Sequence, residues 1–134
     1  MNISKTVLRF GVAGLILALN STAYGLGLGT IDLQSRLNQR FSAHIPVIVS
    51  EEIEPSEVTV RLANDSQFER AGIHRTGIVS KLSFIAERTT DGEMVIAVRS
   101  PDRIVEPMVS CVIEVEQGGI KTIRKYTAML EAPR

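Results

Sequence analysis

Hydrolysis by a side-chain nucleophile needs a serine or cysteine beside a base, and an acid that orients the base. The only imidazoles in the chain are His44 and His74. His44 occupies a polar position in the alternating run Phe41-Ser42-Ala43-His44-Ile45, and His74 follows the glycine that ends a short helical pattern. Both read as surface residues. A zinc site needs several cysteines and histidines at close spacing, which two histidines and one cysteine do not provide. Glu51, Glu52 and Glu54 offer the oxygen ligands calcium takes, but lack the regular ligand spacing of a calcium loop and read as a solvated acidic turn. Gly25-Leu26-Gly27-Leu28-Gly29 has the glycine density of a phosphate loop without the strand that must precede one. The residue types predict no catalytic set, no metal and no cofactor.

Binding chemistry is easier to find. Lys121, Arg124 and Lys125 concentrate positive charge on the last predicted strand. Such charges solvate a strand face, guard an edge against wrong pairing, or dock a partner, and these three are the candidate partner-binding residues. Cys111 is the only cysteine and has no partner for an internal disulfide. In Met108-Val109-Ser110-Cys111-Val112-Ile113 it shares a face with Val109 and Ile113, which predicts a small core residue.

The ends of the chain restrict where such binding takes place. Lys5 and Arg9 flank an apolar run from Phe10 to Leu19, and Ala23-Tyr24-Gly25 supplies small residues for cleavage. Residues 1–25 therefore read as a signal peptide, with a run too short for the roughly twenty residues a membrane helix needs. The mature part, 26–134, is one ordinary domain exported to the periplasm, with no direct membrane span after signal cleavage. Removing Lys5 and Arg9 from a chain of zero formal charge leaves it slightly acidic, which excludes an electrostatic footprint for nucleic acid. With no tryptophan and 4% aromatic residues, little remains to build a sugar-stacking platform.

The elements that position these residues are mostly strands. Period-two alternation marks Ile31–Leu33, Phe41–Val49, Val58–Leu62, Leu82–Ala86, Met94–Val98, Val109–Val115 and Lys121–Leu130. Pro46 lacks an N–H, so its strand should be an edge or carry a bulge there. Asn64 to Gly72 interrupts the pattern as one short helix, capped by Asn64 or Asp65 and ended by Gly72. Asp91-Gly92 and Gln117-Gly118-Gly119 are tight-turn signals. Ser100-Pro101-Asp102 should break the strand before it, and Val109–Val115 should be central. The pattern predicts an all-β fold: an immunoglobulin-like antiparallel β-sandwich of about seven strands with one short helix, or else a small closed barrel. Phe41, Val60, Leu62, Phe84, Ile96, Val98, Cys111, Ile113 and Leu130 are its expected core.

Four blocks in order carry a resemblance. They are Leu26-Gly27-Leu28-Gly29-Thr30-Ile31-Asp32-Leu33 with Leu37-Asn38-Gln39, Val60-Arg61-Leu62-Ala63, Phe68-Glu69-Arg70-Ala71-Gly72-Ile73, and Arg124-Lys125-Tyr126-Thr127-Ala128-Met129-Leu130. Together they resemble the N-terminal periplasmic domain of FimV/HubP-type proteins, envelope and cell-pole proteins linked to type IV pilus assembly, secretin placement and twitching motility. The resemblance implies a protein-interaction module whose partners are envelope proteins such as secretin or pilus-alignment subunits. It supplies no catalytic residue. Longer members of that family continue into a peptidoglycan-binding LysM module, a membrane span and an acidic cytoplasmic region. This sequence ends at Arg134, as either a stand-alone relative or a fragment of a longer reading frame. The second reading, from another class, is a chaperone-like module that offers a strand edge to pilus or envelope subunits.

Overall fold

The computed structural model describes residues 26–134. The signal-peptide reading of residues 1–25 lies outside the described residues. Eight strands follow in order: β1 (Gly27–Leu28), β2 (Asp32–Leu33), β3 (Gln39–Ile48), β4 (Thr59–Leu62), β5 (Ser83–Arg88), β6 (Met94–Ile104), β7 (Met108–Gln117) and β8 (Ile120–Met129). One sheet runs β1-β3-β6-β5, with β2 pairing β3 beside β1, and the other runs β4-β7-β8. Every pairing is antiparallel. Two separate sheets face each other, so the fold is the expected sandwich and not the closed barrel.

The core follows from alternation. Phe41, Ala43, Ile45 and Val47 of β3 are buried, as are Val109, Cys111, Ile113 and Val115 of β7, and Tyr126 and Ala128 of β8. Each large aliphatic or aromatic side chain so removed from water contributes about 1.5–3 kcal/mol. Six of the nine expected core residues are buried. Val60, Leu62 and Phe84 are only half-buried, packed against the core from short edge strands. β7 lies between β4 and β8, the central position its apolar composition predicts.

The turn chemistry is as the residue types require. Gly118 and Gly119, with φ of 59° and 81°, form the two-residue link between the paired Gln117 and Ile120. A type I′ hairpin turn needs positive φ at both positions, and glycine adopts it without a Cβ penalty. Gly92 (φ 85°) closes the β5–β6 hairpin by donating its N–H to the Thr89 carbonyl at 2.9 Å.

Three local expectations need correction. Ser100-Pro101-Asp102 does not end its strand, because β6 continues to Ile104. The register shifts there, with Arg40 opposite Arg103 and Ser42 opposite Arg99. The Ser100 hydroxyl accepts the Phe41 N–H at 2.7 Å and donates to the Asp102 carbonyl at 2.6 Å, so a side chain replaces the missing ladder bond. The helix α1 (Asp65–Arg70), capped by Asn64 on the Gln67 N–H, is followed by a second, α2 (Gly77–Ser80), capped by Thr76. Pro46 lies within a strand flanked on both sides, without a bulge at that residue. Its carbonyl accepts from Gly29 at 2.8 Å, and a residue's N–H and C=O share a direction in an antiparallel ladder. Its missing N–H therefore falls in the gap between β1 and β2.

Candidate functional site

The three basic residues of β8 do not all share one face of the strand. Lys121 and Lys125 project from the outward face, while Arg124 belongs to the inward-facing set with Tyr126 and Ala128. The Arg124 guanidinium lies 5.1 Å from the centre of the Tyr126 ring and donates to the Leu28 carbonyl. The Tyr126 hydroxyl donates to the Gly29 carbonyl at 2.9 Å. Arg124 and Tyr126 thus tie β8 of one sheet to the N-terminal strand of the other. Burial pushes the Tyr126 phenol above its ordinary value, and Arg124 partly opposes that. Lys121 stands opposite Glu116 in the β7–β8 ladder.

Lys125 belongs to a different feature. β4 pairs β7 only over Ile113–Glu116, with one further bond from the Ala63 N–H to the Val112 carbonyl at 2.9 Å. Beyond Ala63 the chain leaves as α1. Among the described residues, the N-terminal half of β7, from Met108 to Cys111, has no strand on that side. Loop and helix 72–79 stand off from it instead, leaving an open cleft of about 470 Å³. That volume falls within the roughly 300–1,000 Å³ of ordinary binding clefts.

Ile73, Ile78 and Val79 form the apolar wall of the cleft, and Met108, Val109 and Ser110 line the β7 side. Arg75 fixes the wall by bonding the Ala63 carbonyl at 3.3 Å and pairing with Asp65 at 3.6 Å. Its guanidinium also lies 5.7 Å from the Phe68 ring centre. The Ser110 and Thr127 hydroxyls share a hydrogen bond of 3.0 Å across the strands. Lys125, His74 and Glu106 supply charge or polarity at the rim. Beside the cleft, Met108 and Met129 face each other across the ladder, 55% and 65% exposed. Methionine pairs of this kind give a soft apolar surface that adapts to a partner.

The nucleophile and metal candidates are dispersed. His44 lies on β3 opposite Asp32 and Ala97, whereas His74 lines the cleft beside the other sheet. Cys111 is 5% exposed, and burial pushes its thiol up to about 12, so the reactive thiolate is suppressed at neutral pH. Glu54 belongs to a 3-10 turn, where its N–H donates to the Glu57 carboxylate at 2.6 Å. Among the described residues no three metal-ligating side chains cluster. No described helix is long and apolar enough to cross a membrane.

The sequence reading singled out Lys125, and His74 in another role, but not the apolar wall or the β7 side of the cleft. The signal was present in two places. Thr76, three residues before Val79, is a helix-capping pattern. The run Val58–Leu62 is also too short to cover a strand as long as Met108–Gln117.

Comparison with known proteins adds a lineage to this geometry. A family model described as the FimV N-terminal domain, an Ig-like domain, matches residues 26–133. The proteins named motility hub protein FimV in two strains of Pseudomonas aeruginosa are 32% identical over 129 residues, covering 96% of this chain. The chain spans 14% of the length of those relatives. No solved structure matches with significance.

Proposed function

Because this chain belongs to the FimV N-terminal domain family, we propose that it is a non-enzymatic, periplasmic protein-interaction module that helps assemble or position type IV pili or their secretin. The observation that carries this reading is the match across the whole domain to proteins named for a motility hub. The cleft beside β7, with its methionine pair, gives the module a surface to work with. Its partners in this reading are envelope proteins such as secretin or pilus-alignment subunits.

The test is genetic. Deleting the chain should reduce twitching motility and the amount of surface pili or of secretin multimers. Supplying the chain from a plasmid should restore them. Unchanged pili and unchanged multimers in a clean deletion contradict the reading.

A further inference from the structure

The open half of β7 presents backbone, and not only side chains, to the cleft. The Val112 carbonyl points toward β4, since it accepts from Ala63, while the Pro107 carbonyl points toward β8, since it accepts from Leu130 at 2.7 Å. Backbone direction alternates along an antiparallel strand, so Ser110 and Met108 share the direction of Val112. Their N–H and C=O groups therefore face the cleft. Among the described residues no strand pairs with them there, and no turn or loop backbone group bonds to them from that side. This is the vacant continuation of β4.

We infer that the cleft binds an extended peptide segment of a partner protein, which adds to β7 as a strand antiparallel to it and sets an acidic side chain against Lys125. This deepens the interaction reading above and rests on it. An added strand satisfies the open backbone groups, and its alternate side chains enter pockets on one face. The inward pair would meet Ile73, Ile78 and Val79, which are apolar. The outward side chains meet a charge gradient. Lys125, opposite Val112 in the ladder, forms no ion pair among the described residues, and Glu106 stands at the other end. A strand antiparallel to β7 begins at the Lys125 end and finishes near Glu106, so an acid belongs first and a base last.

The other edges are less suited. The edge of β8 is already engaged near its end, where the Leu37 N–H donates to the Glu131 carbonyl at 3.0 Å and Arg36 pairs with that carboxylate. On β5, Glu87 and Arg88 place charges on the edge strand, a device that discourages pairing.

The experiment titrates the purified, isotope-labelled chain with two capped pentapeptides, Asp-Val-Ser-Val-Lys and its reversed-charge partner Lys-Val-Ser-Val-Asp. The first should shift the amides of Ser110, Ile73 and Ile78 and slow exchange of the Ser110 amide by about tenfold or more. It should bind about fivefold more tightly than the second, the scale of one exposed ion pair. Lys125→Glu leaves an acid at both ends of the cleft and should abolish that preference. Ser110→Pro removes an N–H that β8 does not use and should abolish binding, whereas Ser110→Ala keeps the amide and should retain it. If the proline variant fails to fold, exchange at Ser110 in the unaltered chain decides alone. Failure of both peptides to bind at millimolar concentration, or shifts centred on β5 or β8, overturns the inference. In cells, Ile73→Glu separates the two levels. Motility lost on deletion but kept in Ile73→Glu rejects the cleft and leaves the proposed function standing. Motility kept on deletion rejects that function.

Discussion

Tyr126 and Arg124 show how two side chains can join residues 28 and 29 to the far sheet. Each donates to a main-chain carbonyl at the end of β1, Leu28 within the strand for Arg124 and Gly29 just after it for Tyr126. Tyr126→Phe leaves the Gly29 carbonyl without its donor and should cost about 1–2 kcal/mol in denaturant unfolding, with faster amide exchange in residues 27–29. Cys111 governs a different observable. Its folded thiol, pushed up to about 12, lies above the ordinary 9.0. The folded state therefore holds that proton more tightly than the unfolded state. The associated stability is complete below pH 9 and is lost as pH rises toward 12, by on the order of 4 kcal/mol at most. Urea midpoints should hold between pH 7 and 9 and then fall, and Cys111→Ala should flatten the fall. Cys111→Ser should destabilise by about 1–3 kcal/mol at neutral pH, because it buries a hydroxyl with no assured partner. Rapid reaction of native Cys111 with a thiol reagent contradicts its placement in the core. Its burial was readable from alternation alone, since Val109 and Ile113 flank it at period two.

At the scale of elements, strands and hairpin turns were legible wherever local chemistry and burial agreed. Gly118-Gly119 and Gly92 turn where their positive φ is needed, and β7 is central because it is apolar. The misreadings share one cause: a tertiary partner supplies what the local sequence lacks. Pro101 removes an N–H from β6, yet the strand persists because Ser100 bonds the Phe41 N–H from within the shift in register. Nothing local to Ser100-Pro101-Asp102 indicates Phe41, fifty-nine positions away. Ser100→Ala should leave that N–H unsatisfied and cost about 1–3 kcal/mol, measured by urea unfolding. Its effect should concentrate on the Arg40–Ser42 amides. The second helix was hidden for a related reason, since a four-residue turn has little periodicity and is held by the Thr76 cap and by packing of Val79. The cleft itself was only partly legible. Lys125 stood out as a charge, but its setting depends on where β4 stops and on how Arg75 holds the loop.

At the scale of the molecule, a sandwich of two sheets must manage its edges. β1 and β2 lie along one side of β3, the segment after β8 is held by Leu37, and β5 carries charges. The open half of β7 is left as an accessible ladder beside an apolar wall and two exposed methionines. That arrangement is the surface on which the proposed interaction rests. The most direct measurement is a photo-crosslink in living cells, with a photoreactive amino acid at His74 in the cleft and, separately, at Ile85 on β5. The account predicts one discrete adduct from position 74, containing a pilus or secretin assembly protein, and no such adduct from position 85. An adduct from position 85 alone, or none from position 74 in cells whose motility depends on the chain, contradicts it.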